Sequence, residues 1–242
     1  RLERDKLGRI VKKLEEFQEE DRHHKHGHEK NRNEIEDKLL NQYVYDKAGR
    51  LVKVFGPRRN SFYRYDLNSN RIQGHVGNDE FDAVYDNQDR LIRFNDQTFS
   101  YNANGDLISI KELEKKRHKP NYKTTNVVYD VFGNLIQFGN ITYQINPLGK
   151  RSARLVDGVI THKYYYTPEG QLIAVADKEG NLKKSFIYAT KSHVPDYFVD
   201  EFNKRFKIIT DQLGSVRLVV DAETGEVKQK LLHNEFGNIL VD

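Results

Sequence analysis

The chain has 242 residues, 40 of them Lys or Arg and 36 Asp or Glu, with a formal net charge of +4 and a mean hydropathy of −0.81. It has no cysteine, which excludes a disulfide framework, a thiol nucleophile and a zinc–thiolate site, and no apolar run approaches the length needed to cross a bilayer. Apolar residues make up 37%, lean for a thick two-layer core at this length, so the composition suits a sheet wetted on much of both faces.

A phrase recurs along the chain: aromatic, Asp, two variable residues, Gly or a substitute, a polar residue, an aliphatic. A first copy without its Tyr stands at Asp5-Lys6-Leu7-Gly8-Arg9-Ile10, and the clearest is Tyr45-Asp46-Lys47-Ala48-Gly49-Arg50-Leu51. It returns from Tyr65, Tyr85, Tyr101 and Tyr129, and more loosely from Tyr143 and Tyr166. Late variants are Asp177-Lys178-Glu179-Gly180-Asn181-Leu182 and Asn234-Glu235-Phe236-Gly237-Asn238-Ile239. Self-similarity near 20 residues marks a repeat architecture.

Each part of the phrase has a place in a β-hairpin. Tyr ends a strand, and Asp hydrogen-bonds the backbone amides ahead of it to start a turn. Gly supplies the positive φ that hairpin loops need near their exit, and Asn70 is expected to replace it in its copy. The aliphatic residue opens the return strand. Runs such as Leu91-Ile92-Arg93-Phe94, Leu107-Ile108-Ser109-Ile110 and Leu135-Ile136-Gln137-Phe138 then alternate with period 2, and the leading Leu is expected beside the Tyr. A train of such hairpins predicts one meandering sheet whose units lean on their neighbours. The predicted class is all-β: tandem hairpins in a continuous curved sheet, as a single repeat region over 1–242.

Three stretches interrupt the train. Residues 15–42 are crowded with charge and hold His23, His24, His26 and His28. Flanking apolar positions allow either two strands with a long polar loop or a short helical hairpin, and the place between two phrases favours the extended hairpin. Imidazoles are common metal ligands, but no second shell orients these four, so no metal is assigned. The second break, 111–123, is a charged loop ended by Pro120. Its Lys115-Lys116-Arg117-His118-Lys119 reads as a solvated tip and not a nucleic-acid site. The third, Ala189 to Arg205, is expected as chain folded over the sheet before the strand resumes at Phe206.

No catalytic pattern stands out. The sequence has no Gly-x-Ser-x-Gly elbow, His-Glu-x-x-His, Walker loop or Gly-x-Gly-x-x-Gly after a strand. Ser215 follows Asp211-Gln212-Leu213-Gly214 and reads as a turn serine. The recurrent aspartates stand too far apart for a calcium β-roll. The expectation is a protein that is not an enzyme, with no catalytic, cofactor-binding or metal residues and no cofactor. With no Met at residue 1 and an open strand at Ile239-Leu240-Val241, the chain is expected to be an internal piece of a longer one. Exposed edges also favour self-association.

The phrases, together with Ile208-Ile209-Thr210-Asp211-Gln212-Leu213-Gly214-Ser215-Val216-Arg217-Leu218 and Glu235-Phe236-Gly237-Asn238-Ile239-Leu240, resemble bacterial Rhs/YD-repeat proteins over essentially the whole chain. The resemblance implies that 206–242 leads into the Rhs-associated core, which lies beyond Asp242. In Rhs proteins, in the C component of Tc toxins and in teneurins, such repeats form a β-strip that spirals into a hollow shell. In the toxins this shell encloses a C-terminal effector, which an aspartyl autoprotease with Asp-Pro-x-Gly motifs releases. The chain has no Asp-Pro; Asn146-Pro147-Leu148-Gly149 is nearest and lacks the acid, so no catalytic residue carries over. The implied role is a section of a bacterial toxin shell. Its partners would be the rest of its own polypeptide, the effector and a carrier or secretion component, and its parent would be secreted or at the cell surface. The alternative is an adhesive module that binds carbohydrate or protein.

Overall fold

A computed structural model describes residues 1–17, 37–57, 59–114 and 121–241. Every regular element among them is a β-strand, as the hairpin phrases require. The chain clusters into two compact units, Arg1–Thr124 and Thr125–Asp242. The phrase runs on unchanged past the boundary, so spacing carries no signal of it.

Unit 1 holds β1 (Leu2–Arg4), β2 (Ile10–Phe17), β3 (Asp37–Tyr45), β4 (Leu51–Phe55), β5 (Asn60–Tyr65), β6 (Arg71–Val76), β7 (Asp79–Tyr85), β8 (Leu91–Phe94), β9 (Gln97–Tyr101) and β10 (Leu107–Glu114). Each pairs antiparallel with the next in the chain, an uninterrupted meander. The turns at Asp5, Asp46, Asp66, Asp86 and Asn102 therefore all lie on one edge of this sheet. The connections through Gly77 and Asn95 lie on the other.

Strand β11 (Asn121–Tyr129) contains the unit boundary. It is followed by β12 (Leu135–Phe138), β13 (Ile141–Ile145), β14 (Arg151–Val156), β15 (Val159–Tyr166), β16 (Leu172–Ala176) and β17 (Leu182–Ile187). Then come β18 (Tyr197–Asp200), β19 (Arg205–Thr210), β20 (Val216–Asp221) and β21 (Val227–Lys230). These also pair in chain order, while β22 (Leu232–His233) and β23 (Ile239–Val241) make a separate antiparallel pair.

The interruptions are narrower than their charge suggests. Strands β2 and β3 pair from Lys12↔Gln42 to Phe17↔Asp37, the extended hairpin and not the helical one. Lys111 and Glu112 continue β10 because Thr98 and Gln97 on β9 still offer them partners. The four histidines from His23 to His28, and the cluster from Lys115 to Lys119, lie outside the described residues. The third break contains a strand of its own, β18, paired to both β17 and β19.

The leading residue of the return strand faces the Tyr, an aliphatic in Tyr45↔Leu51, Tyr85↔Leu91 and Tyr129↔Leu135 and Arg71 opposite Tyr65, and the register slips one residue beside it. This bulge leaves the second residue of the return strand without a partner and sharpens the local twist. Paired residues share a face, so in unit 1 Val54, Ser61, Tyr63, Phe81, Ala83 and Phe94 lie together on one face. That face is the tight one: Val54, Ser61, Tyr63 and Ala83 are buried. In unit 2 the buried strand residues include Val127, Ala153, Ala174 and Ala176, mostly small side chains. Neither unit has a thick core of large aliphatics among its described residues, in keeping with a lean composition.

Candidate functional site: a relay along the capped turns

The repeated turn is built around its Asp. In the Asp86 copy, Oδ1 accepts the amides of Gln88 at 2.9 Å and Arg90 at 3.0 Å, while Oδ2 accepts Arg90 Nε at 2.7 Å. Asp5 does the same with Leu7 and Arg9, and Asp46 holds the amide and Nε of Arg50 at 2.9 and 2.7 Å. The backbone closes the loop: Asp46 N donates to Arg50 O at 2.9 Å and Gly49 N to Asp46 O at 3.0 Å. Gly49 has φ +83°, the left-handed conformation that costs glycine least.

In the Tyr65 copy the left-handed residue is Ser69, at φ +72°, and not Asn70. The third residue after the Asp must turn left; the fourth is the one that hands its side chain back to the carboxylate. Asn70 fills that fourth place, with Nδ2 on Asp66 Oδ2 at 3.0 Å. The Tyr85 copy puts Asp89 at the left-handed position, φ +59°.

Successive turns of unit 1 are tied together. Tyr45 OH donates to Ile10 O at 2.9 Å, Tyr65 OH to Leu51 O at 2.8 Å, and Tyr101 OH to Leu91 O at 2.8 Å. In each case the acceptor is the first residue after the preceding capped turn. The Arg of that preceding turn, already oriented by its own Asp, lies over the same Tyr ring. Arg9 sits 4.7 Å from the Tyr45 centroid, Arg50 5.1 Å from Tyr65 and Arg90 5.1 Å from Tyr101. Arg50 also donates to Asp66 O at 2.8 Å. Asp orients Arg, Arg covers the next Tyr, and that Tyr bonds back to the return strand. This relay gives a role to the fourth-place Arg wherever it occurs, at Arg9, Arg50 and Arg90.

One step is looser. Where Asn70 replaces Arg, no guanidinium from that turn reaches Tyr85, whose OH stands 3.4 Å from Arg71 O. The link passes instead through Asp89, whose Oδ1 accepts Asn68 Nδ2 at 2.9 Å and Asn70 Nδ2 at 2.6 Å.

Unit 2 varies the same parts. Asp130 holds Phe132 N, Asn134 N and Asn134 Nδ2, each at 2.9 Å, and Asn146 accepts Leu148 N at 3.0 Å and Lys150 N at 2.9 Å. The turns at Asp130, Asn146, Thr167 and Asp211 share one edge. Strand order places those at Asp177, Asp200 and Asp221 on the opposite edge, although their phrases look alike. The Asp200 turn escapes the sequence pattern because Val199 stands where Tyr would and Asn203, at φ +61°, replaces Gly. Between β17 and β18 a longer loop takes the place of a capped turn. Asp196 closes it by accepting the Ala189 and Thr190 amides, both at 2.8 Å, along with the Thr190 hydroxyl. Gln171 Nε2 ties this loop to the neighbouring turn through Ser192 O at 2.9 Å, and Tyr188 OH completes the relay onto Leu172 O at 3.0 Å.

The caps set the charge state of the turns. Hydrogen bonds from the Arg9 side chain hold Asp5 below the usual carboxylate range, the Arg50 amide does so for Asp46, and the Arg90 side chain for Asp86. The Thr190 hydroxyl and the two loop amides bring Asp196 down to about 2. Burial pushes the Tyr45 and Tyr101 phenols up. These are structural carboxylates, committed to amides and guanidinium groups. Ser215 occupies the fourth place of the Asp211 turn, its amide on Asp211 Oδ1 at 3.1 Å. Among the described residues no group of three His, Asp or Glu converges as a metal site, and no helix is long and apolar enough to cross a membrane.

The family model described as the teneurin YD-shell matches residues 9–242. The chain belongs to the teneurin YD-shell family. Teneurin-m of Drosophila melanogaster is 24% identical over 221 residues, a stretch that covers 82% of this chain and 7% of that protein. Among solved structures, the Photorhabdus luminescens Tc holotoxin pore matches 98% of the chain at TM-score 0.53 and 15% identity. A TcdB2–TccC3 complex matches 98% at TM-score 0.46 and 11% identity. The chain spans 15% of the matched holotoxin chain and 20% of the TcdB2–TccC3 chain. The YD-shell assignment accounts for the Tyr-Asp phrase itself, which is the relay seen from the sequence side.

Proposed function

We propose that the chain is a section of the wall of a bacterial Rhs-type toxin shell, which contains a C-terminal effector until delivery. The relay is the observation that carries this reading. The turns at Asp46, Asp66 and Asn102 are anchored to their neighbours by bonds that use no apolar core, which suits a thin wall with protein or solvent on both faces. Antiparallel pairing on both sides of every inner strand consumes its backbone groups, so the wall offers few points for strand exchange with a cargo. The likeness in fold to a chain of the Tc holotoxin supports the same reading. The chain's own part is mechanical, with no bond made or broken. Its partners are then the remainder of its own polypeptide, the effector, and a carrier or secretion component, and its parent acts outside the cytoplasm.

The test is limited proteolysis of the parent polypeptide. The region after Asp242 is expected to stay intact under protease when the wall is whole. It is expected to be digested when Tyr45, Tyr65 and Tyr101 are together changed to Phe. Equal digestion of that region with either wall would refute containment.

A further inference from the structure

The turn between β9 and β10 is capped by an amide and not by a carboxylate. Asn102 Oδ1 accepts the backbone amides of Asn104 and Asp106, both at 2.9 Å, and Asn102 Nδ2 donates to Asp106 Oδ2 at 2.8 Å. The backbone closes with Gly105 N on Asn102 O at 3.1 Å. Asp106 stands where Arg50 and Arg90 do in their copies, so the turn brings no guanidinium of its own. A neutral acceptor holds an amide less firmly than a carboxylate does, and this turn therefore opens more readily than those at Asp46 and Asp86.

Its tip carries a pair of groups that react with each other. Asn104 is exposed, and among the described residues its carboxamide spends no hydrogen bond on the protein. Gly105 follows it, at the one place in the chain where Gly comes directly after Asn. Gly105 has φ +89°, and no atom stands within 4 Å of the point a Cβ would occupy. With no side chain in the way, its nitrogen reaches Asn104 Cγ once the turn has opened. Asn68 holds the same place in the Asp66 turn and supplies the contrast. Its Nδ2 is committed to Asp89 Oδ1 at 2.9 Å, and Ser69 after it carries a Cβ.

We propose that Asn104 is a spontaneous modification site, deamidated through a succinimide whose formation is gated by opening of the Asn102 turn. Freed from Asn102 O, Gly105 N attacks Asn104 Cγ. The N–Cγ bond forms, the Cγ–Nδ2 bond breaks, and Nδ2 leaves as ammonia with a proton in exchange for the one Gly105 N gives up. One water then opens the ring at either carbonyl and leaves aspartate or isoaspartate at position 104. Nothing is oxidised or reduced. Isoaspartate routes the chain through its side-chain carbon and adds one backbone atom to the turn. The Gly105 amide then no longer meets Asn102 O, and the hairpin of β9 and β10 loosens at its tip. This chemistry is independent of the containment role.

The experiment ages the 242-residue chain in mildly alkaline buffer and follows each asparagine by peptide mass mapping. An isoaspartate-specific methyltransferase marks the rearranged product. Conversion at Asn104 is expected to run at least about tenfold faster than at Asn68. Asn102→Ala removes the cap and is expected to speed the native reaction about fivefold, with equal rates for variant and parent in urea. Asn102→Asp combined with Asp106→Arg rebuilds the Asp46 form of the turn and is expected to slow the reaction by about the same factor. The proposal is overturned if Asn104 converts no faster than Asn68, or if either turn variant converts at the parent's native rate.

Discussion

Tyr45 shows how much the repeat asks of one side chain. Its ring carries Arg9 and its hydroxyl holds Ile10 O, so removing the hydroxyl alone separates the two contributions. Tyr45→Phe keeps the ring and is expected to lower stability by about 1 kcal/mol, the net value of one hydrogen bond, measured by urea unfolding. The caps make a second prediction. Asp5, Asp46, Asp86 and Asp196 have folded pKa values below their unfolded ones, so the unfolded chain binds more protons and stability rises with pH through that window. Their contribution is present in full above the unfolded carboxylate range, near about pH 4, and fades as pH falls toward about 2 for Asp196. The Tyr phenols have the opposite sign: raised in the fold, they favour the folded state until pH passes about 10, after which stability falls. The urea midpoint against pH should be a plateau with an acid edge and an alkaline edge. A midpoint still rising between pH 6 and pH 9 would contradict both assignments.

At the scale of the element, the hairpin was legible because its chemistry is local. Asp caps the amides two and four residues ahead, and one glycine turns left, all within a five-residue window. The fourth place was misread for Asn70 because a left-handed preference and a carboxylate partner both suit Asn. Only the backbone, with Ser69 at φ +72°, shows that Ser69 makes the turn. The Asp200 turn was missed because neither of its flanking signals, Tyr or Gly, is present. The relay was invisible for a different reason: Tyr45 and Ile10 are 35 residues apart, and no spacing rule joins them. Two substitutions probe these elements. Asn70→Arg restores the guanidinium beside Asp66 and below Tyr85, and is expected to stabilise by about 0.5–1 kcal/mol in thermal unfolding. Gly74→Ala sets a methyl against Phe62 O and the Phe81 ring and is expected to destabilise by about 1–3 kcal/mol in the same assay.

On the scale of the whole molecule, the all-β class followed from the recurring hairpin phrase, and the lean core from composition, because a chain this charged has little to bury. Nearest-neighbour pairing gives the same phrase inside each unit and at the Thr124–Thr125 margin. The same property decides how the sheet should fail. In a repeat whose turns are tied only to adjacent turns, a local lesion spreads one or two strands and then dies away. Tyr65→Phe removes the bond to Leu51 O between the Asp46 and Asp66 turns. The measurement that tests this most directly is native-state hydrogen exchange of the Tyr65→Phe chain against the parent. Faster exchange confined to β3–β6, with β9 and β10 unchanged, is the result the relay requires. A uniform change across unit 1, or none in β3–β6, would contradict it.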